Sequence, residues 1–370
     1  GTLDIEPQDS APVALDLPTP DVNPGQEATV TFSFTTNQDC WWSPRGHEVG
    51  WDQFALTALP RLAPPAVGSR QAERVSTTRS GNSATLSAGK VNVVVDQHEG
   101  CIRQIEVDGE RILTAGPRFN LWRAPIDNDG IKAKDDHTKT DKKPLGRWYN
   151  AGYDRLRPAK PSASVCRDGT SAVIDIRQEF IPHGAKHGFR HQQLWTLRPD
   201  GVLLCENTFV MPEGFVDAPR LGIQCTLAEG YDRLSWFGLG PHETYPDRKA
   251  SGVLGRYDGT VAEQYFPYVV PQENGNKEDV RWFTLTSAAG TGLRFQAVGT
   301  PFNFSAHHVT PRDLTAARHT NEVRFRKQVT VLIDAAHRGL GTGGCGPDTL
   351  PTYLVTPGHY SLAFAIVPLL

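Results

Sequence analysis

The sequence predicts an all-β protein on three observations. Short runs of β-branched and other apolar residues recur, such as residues 29–34 and 91–95, and the first run alternates polar and apolar residues with a period of two. Turn residues separate paired runs, with Asp108-Gly109 between residues 105–107 and 111–113. Helical periodicity is almost absent, and the 35 glycines and 28 prolines suit many short strands and turns. We therefore expect antiparallel strands packed as sandwiches.

The composition is that of a globular chain with a sizeable core. Its 370 residues are enough for about two domains, and 38% of them are hydrophobic. The formal net charge of -3 gives no electrostatic case for binding nucleic acid or an anionic membrane surface. No apolar stretch approaches the ~20 residues that a membrane-spanning helix needs. The sequence therefore predicts a soluble protein with neither a nucleic-acid partner nor a membrane partner.

Cysteine usage indicates a reducing compartment. The six cysteines show neither a Cys-x-x-Cys pair nor regular spacing, which favours free thiols over a disulfide framework or a zinc site. Cys205 and Cys225 lie in apolar, strand-like runs, where a cysteine usually acts as a small buried hydrophobe. We expect a cytoplasmic location.

The strand pattern breaks once. From residue 59 to residue 82 it gives way to prolines, a glycine and a stretch rich in Ser, Thr, Arg and Gly, and we interpret residues 61–82 as an interdomain linker. Residues 1–60 hold too few strands to close a sandwich of the usual seven or so. We expect this first part to be an incomplete domain that exposes some of its core, and residues 83–370 to form a large antiparallel β-sandwich.

Several blocks in a fixed order carry a family resemblance. The most specific are Trp-Phe-Gly-Leu-Gly-Pro-His-Glu-Thr-Tyr-Pro-Asp-Arg at 236–248 and Tyr-Phe-Pro-Tyr-Val-Val-Pro-Gln-Glu-Asn-Gly at 265–275. They are accompanied by Arg-Ala-Pro-Ile-Asp-Asn-Asp-Gly at 123–130, Arg-Trp at 147–148 and Gly-Leu-Gly at 339–341. These blocks resemble the C-terminal β-sandwich domain of the β-galactosidases of glycoside hydrolase family 2. The resemblance implies a galactose mutarotase-like supersandwich for residues 83–370.

Near the start, Trp-Ser at 42–43, Gly-His at 46–47 and Trp-Asp-Gln at 51–53 resemble the end of the immunoglobulin-like domain that precedes the sandwich in that family. Residues 1–60 are thus expected to be the C-terminal part of such a domain. The resemblance therefore covers nearly the whole chain.

The resemblance also implies a function and places its chemistry elsewhere. Family members hydrolyse terminal β-D-galactosides such as lactose with retention, using two carboxylates of a (β/α)8 barrel that precedes these domains. This chain shows no alternation of strands and helices that could build a barrel. We expect a C-terminal part or small subunit with no catalytic residue of its own. Its partners would be the galactoside and the barrel, with magnesium and sodium bound in the barrel, and it would assemble as a homo- or hetero-oligomer.

Two loops are expected to shape the substrate pocket. By resemblance, Asp129 and Gly130 begin a mobile loop at the mouth of the active site, and the polar run after them suits a lid or a plain solvated connection. A second loop places Gly344, Cys345 and Gly346 at the substrate. Cys345 stands where the best-known members carry a tryptophan, and a thiol lacks the broad apolar face that a sugar packs on. A glycine-rich turn between strands is the alternative.

Other carboxylates and histidines are weaker candidates. Asp127 and Asp129 would share one face of a strand, but they equally suit a turn. Glu243, Asp247 and Arg248 predict an ion-pair network that pins a corner of the sandwich, while Glu273 is a further acidic candidate.

The sequence between residues 182 and 191 contains three histidines, His183, His187 and His191, that would make a metal face on a helix. Pro182 and the glycines between them favour a hairpin tip instead.

Two other functions stay open. One is a stand-alone carbohydrate-binding module, which predicts sugar affinity in the isolated chain. The other is a mutarotase-like sugar epimerase, which needs a His and Glu pair for proton transfer. His242 and Glu243 are adjacent, so in an extended strand they would point to opposite faces.

Overall fold

The computed structural model describes residues 5–6, 8–18, 20–23, 25–66, 73–132, 139–341 and 348–370. The chain divides into two compact units, residues 1–61 and residues 62–370. In the first unit, β1 (Thr29–Thr35) and β2 (Glu48–Ala55) form an antiparallel hairpin whose register shifts after Phe34. The alternating residues 29–34 therefore form a strand, as the sequence predicts.

Large apolar side chains of the first unit are exposed. Trp41 is 95% exposed, and Phe34, Trp42, Val49 and Phe54 are also exposed. A two-stranded sheet has no second layer to cover its faces, and exposed apolar patches mark surfaces that normally contact something else. The expectation that this part exposes some of its core is confirmed for its described residues.

The second unit consists, over its described residues, of two antiparallel nine-stranded sheets and two short helices. In spatial order the first sheet contains β14 (Val253–Thr260), β13 (Arg233–Gly240), β16 (Trp282–Thr286), β17 (Gly292–Ala297), β20 (Gly358–Leu369), β11 (Leu203–Met211), β10 (Phe189–Leu197), β9 (Ser171–Pro182) and β8 (Leu156–Asp168). The second contains β15 (Lys277–Val280), β18 (Phe302–His307), β19 (Val329–His337), β12 (Arg220–Leu227), β7 (Glu110–Asn120), β6 (Cys101–Val107), β5 (Val91–Asp96), β4 (Ser83–Ala88) and β3 (Ser76–Ser80). The helices are α1 (Pro144–Asn150) and α2 (Pro311–Ala316), and 3₁₀ turns cover Ala262–Gln264, Thr320–Glu322 and Pro351–Tyr353. The predicted all-β class is confirmed.

One apolar core joins the two sheets. In β4 every second residue is buried, namely Ala84, Leu86 and Ala88, as expected of a strand with one face on the core. The rings of Phe283 in β16 and Phe304 in β18 stack 4.1 Å apart, and these strands belong to different sheets. The sheets therefore pack face to face as a sandwich.

The predicted linker, residues 61–82, is shorter than expected. Residues 76–80 are strand β3, which pairs with β4 at the edge of the second sheet. Leu62 pairs by its backbone with Gly299, so the start of the predicted linker also belongs to the second unit. The sequence pattern did not predict β3, because an edge strand that is largely exposed needs few large apolar residues.

The cysteines of the described residues are free thiols, as predicted. Cys205 and Cys225 are buried in the core, and burial raises the pKa of Cys225 to about 12. No helix within the described parts of the chain is both long and apolar enough to cross a membrane.

The three spaced histidines lie at a hairpin, as predicted. Strand β9 ends at Pro182 and β10 begins at Phe189, so His183 and His187 lie in the connection. His191 lies inside β10, where its ring stacks on Phe209 at 4.4 Å and its Nε2 lies 3.0 Å from Asn207 Oδ1. Burial lowers the pKa of His191 to about 4.

The buried His191 predicts a pH dependence of stability. Between pH 6.5 and 4 the unfolded chain binds a proton at this residue that the folded chain does not, so the free energy of unfolding falls as the pH falls through that window. Relative to His191→Gln, the unchanged protein should lose roughly 3 kcal/mol of stability between pH 7 and pH 4. Denaturant unfolding at several pH values measures this. The exposed His359 provides the control, His359→Gln, and parallel curves for His191→Gln would contradict the prediction.

Candidate functional site

Segments 123–130 and 338–341 lie side by side where the central strands of the second sheet end. Strands β7 and β19 both pair antiparallel with β12, so they run in the same direction and their C-terminal ends lie on the same side of the sheet. Beyond these ends, Arg123 Nη1 donates to the carbonyl of Arg338 at 2.7 Å, and Asn128 Nδ2 donates to the carbonyl of Leu340 at 3.1 Å. The stems of both predicted loops are therefore brought together.

A buried ion pair holds segment 123–130 in place. The Arg123 guanidinium donates to both carboxylate oxygens of Asp129, from Nη2 at 2.6 Å and from Nε at 3.1 Å, and both side chains are fully buried. Asp129 Oδ2 also accepts the backbone N–H of Ile126 at 3.1 Å. The same guanidinium donates to the carbonyl of Gly339 at 3.3 Å. Arg123 thereby ties its own segment to segment 338–341.

A second buried arginine continues the network. Arg338 donates from Nε to Asp217 Oδ2 at 2.6 Å and from Nη2 to Asp348 Oδ1, and its Nη1 lies 3.7 Å from Asp129 Oδ1. The guanidinium carbons of Arg123 and Arg338 lie 5.5 and 5.7 Å from the centroid of the Trp148 ring in α1. Cations near an aromatic ring at such distances are attracted to its face. Helix α1 is therefore joined to the same network.

Asp247 binds both sides of the second loop. Its carboxylate accepts the backbone N–H groups of Leu340 at 2.9 Å and Gly341 at 2.8 Å, and the Thr349 hydroxyl at 2.9 Å. A side chain at Gly339 would not fit, because its Cβ would lie 2.5 Å from Asp247 Oδ2. The glycine is required for this close approach.

Another buried network lies at the neighbouring strand ends. Arg220 in β12 donates to Asp334 in β19, with Nη2 2.5 Å from Oδ2, and its Nη1 lies 3.3 Å from Glu273 Oε1. Burial raises the pKa of Glu273 and of Asp334, while the neighbouring Arg220 opposes both shifts. Glu273 thus belongs to the structural framework of segment 265–275.

Asp127 and Lys132 connect segment 123–130 to segment 265–275. The exposed Asp127 exchanges hydrogen bonds with Gln272, through its backbone N–H at 3.2 Å and its carboxylate at 3.4 Å. Lys132 donates to the carbonyls of Pro271, at 2.6 Å, and Leu314. Burial lowers the pKa of Lys132 to about 8. The chain on both sides of Gly130 is therefore tied down.

The predicted corner network is partly confirmed. Arg248 forms an ion pair with Glu243, which also accepts the Tyr268 hydroxyl at 2.5 Å and the Gly275 N–H at 2.7 Å. These donors lower the pKa of Glu243, although burial opposes them. Asp247 differs, because it binds the second loop rather than this corner.

The predicted site residues have different outcomes. Asp129 lies in the buried pair, and Gly130 is buried with a φ of 130°, a conformation that favours glycine. The mobility of the loop that follows stays a prediction. Gly344, Cys345 and Gly346 lie outside the described residues. Sequence reasoning assigned no role to Arg338 or Asp217, which form an ion pair across 121 residues of sequence.

No metal site is found in the parts of the chain that the structure describes, since no three His, Cys, Asp or Glu side chains there are grouped to bind an ion. The binding of magnesium and sodium by the barrel stays a prediction.

A family model described as the beta galactosidase small chain matches residues 87–366. The chain belongs to this family. A model described as domain 4 of beta-galactosidase matches residues 1–57. The resemblance stated from the sequence blocks is therefore confirmed over both parts of this β-galactosidase-family chain.

Relatives named beta-galactosidase align with almost the whole chain. One from Arthrobacter sp. (strain B7) is 28% identical over 96% of this chain, and one from Priestia megaterium is 28% identical over 99%. The match covers 34% of each relative, so the chain spans about a third of their length. Among solved structures, a galactose mutarotase related enzyme from Lactobacillus acidophilus gives a TM-score of 0.39 at 10% identity, covering 77% of this chain and 97% of that one.

The buried Arg123–Asp129 pair predicts strong energetic coupling. Asp129→Leu or Arg123→Met alone leaves a buried charge without its partner and should cost about 3–5 kcal/mol of unfolding free energy. The double variant should cost clearly less than the sum of the two, because it leaves neither charge. Denaturant unfolding of all four proteins gives the coupling energy.

The exposed Lys327–Glu229 pair is the matched control, with an expected coupling below about 1 kcal/mol. Additive effects at Arg123 and Asp129 would show that the pair does not hold the segment.

Proposed function

We propose that this chain is the C-terminal part, or the small subunit, of a β-galactosidase that hydrolyses terminal β-D-galactosides such as lactose. The family match over residues 87–366 carries the proposal. It is supported by relatives named beta-galactosidase, of which the chain spans about a third. The catalytic barrel is then supplied by another part of the protein or by a large subunit.

The carboxylates of this chain support a non-catalytic role. A retaining glycosidase needs two carboxyl groups about 5–5.5 Å apart, one as nucleophile and one as acid/base. Asp129 is committed to Arg123, and Asp247 holds three donors around the second loop. Glu243 likewise accepts from Arg248, Tyr268 and Gly275. We assign the double displacement to the barrel, together with any magnesium or sodium.

The chain would act by shaping the substrate pocket. Its two loop stems meet where the central strands of the second sheet end, and buried arginines and Asp247 fix them there. Residues held this firmly can position a loop against a sugar without spending binding energy on ordering the stem. We propose that the loop after Gly130 closes at the pocket mouth and that Gly344, Cys345 and Gly346 contact the substrate. We also propose that the chain assembles with the barrel as a homo- or hetero-oligomer and that this assembly works in the cytoplasm.

Complementation tests this function. Hydrolysis of a chromogenic β-galactoside is measured for the chain alone, for the barrel-containing part alone and for their mixture. We expect activity on mixing and none from this chain alone. Activity from the chain alone would contradict the proposal and would make Asp127, an exposed carboxylate near Gly130, the first residue to examine.

Substitution at Cys345 tests the pocket-shaping part separately. Cys345→Trp would add a broad apolar face, so KM for lactose should fall about three- to tenfold with a smaller change in kcat. Cys166→Trp, at an exposed cysteine, is the matched control. Equal KM values for both variants would place Cys345 away from the substrate.

A further inference from the structure

A cavity of about 440 Å³ lies beside the corner network, outside the two loop stems. Its lining comes from residues 241–251, from residues 263–268 and from Lys277 of β15. Small-molecule sites in proteins usually have volumes of about 300–1,000 Å³. The cavity is therefore large enough to hold a small ligand.

Lys277 is the most unusual side chain of the cavity wall. It is only 2% exposed, and the structure gives its ammonium one hydrogen-bond acceptor, the carbonyl of Gly275 at 3.2 Å. Its Nζ lies 5.1 Å from the centroid of the Trp236 ring. Burial lowers the pKa of Lys277 to about 8. An ammonium has three donors, and a buried charge is costly unless its donors are satisfied. Lys277 can therefore still donate to a ligand in the cavity.

The charges of the wall favour an uncharged ligand. Two cationic side chains, Lys277 and Arg248, are balanced by two anionic ones, Glu243 and Glu263. Glu243 already accepts three hydrogen bonds, whereas the carboxylate of Glu263 is exposed and, among the described residues, accepts from Thr260 alone. Donors and acceptors thus line one space. Hydroxyl groups, which both donate and accept, match such a wall better than a phosphate or a carboxylate does.

An aromatic surface forms the rim of the cavity. Phe266 is 56% exposed, and its ring lies 4.6 Å from that of Tyr268, which also lines the cavity. An exposed phenylalanine beside charged groups offers an apolar face within reach of hydrogen-bonding side chains. The C–H face of a sugar ring packs on such a surface while its hydroxyls bond to the polar wall.

We propose that this cavity binds one sugar unit of a neutral carbohydrate. The ring of Phe266 packs against the sugar, Lys277 donates to its hydroxyls, and Glu263 accepts from them. The site needs no catalytic barrel, so the chain itself binds sugar here. The proposal is independent of hydrolysis, and its failure would leave the complementation experiment unaffected.

Titration calorimetry of the full chain with galactose, lactose and inorganic phosphate tests the site. We expect saturable binding of a sugar and weaker or no binding of phosphate. Phe266→Ala should weaken the sugar affinity about tenfold, and Lys277→Met at least as much. Because Phe266 is exposed, its variant should fold even where Lys277→Met does not.

Two surface variants are the controls: Phe54→Ala, also at an exposed phenylalanine, and Lys327→Met, at an exposed lysine. Both should bind sugar like the unchanged chain. Sugar binding that does not saturate, sugar binding unaffected by Phe266→Ala, or phosphate binding tighter than sugar would each overturn the proposal.

Discussion

The bidentate pair between Arg123 and Asp129 is the interaction on which the rest of the site depends. Both side chains are fully buried, and the same guanidinium reaches the carbonyls of Arg338 and Gly339. A buried guanidinium without its carboxylate would be strongly destabilising, so its partners cannot separate cheaply. The two segments that carry the predicted loops are thereby held as one unit.

The region of the two loop stems and the interior of the sandwich are stabilised by different kinds of interaction. The interior is an apolar core, in which rings such as Phe283 and Phe304 stack across the two sheets. Beside the loop stems, by contrast, three arginines are buried against carboxylates: Arg123, Arg220 and Arg338. Directional pairs of this kind fix the relative position of backbone segments that have no strand pairing of their own. The stems are therefore positioned by charge and hydrogen bonds, and the strands behind them by packing.

The sequence predicted those features that depend on neighbours along the chain. Alternation of residues predicted β1, glycines and a proline predicted the connection near His183, and the short block around Tyr245 predicted the Glu243–Arg248 pair. It did not predict the partners of Asp247, because Leu340 lies 93 residues away. Neither periodicity nor spacing encodes which distant segment a buried carboxylate meets. For the same reason the cavity around Lys277, assembled from three separate segments, left no mark in the local pattern.

Family membership and the contacts of individual residues explain different features of this chain. Membership accounts for the sandwich and for the third of a whole β-galactosidase relative that the chain spans, and the contacts of Arg123 show how the sandwich holds its two loop stems. The geometry of these contacts gives the loop stems a common anchor. A disturbance at one stem should therefore be felt at the other, although they are separated by about two hundred residues of sequence.

Hydrogen exchange measured by mass spectrometry on the unchanged chain and on Asp129→Asn tests this coupling most directly. The variant keeps the shape of the side chain but removes its charge. We expect faster exchange in both segment 123–130 and segment 338–341, including the amides of Leu340 and Gly341, with strands β10 and β11 unchanged. Faster exchange confined to segment 123–130 would contradict it and would show that the two stems are held independently.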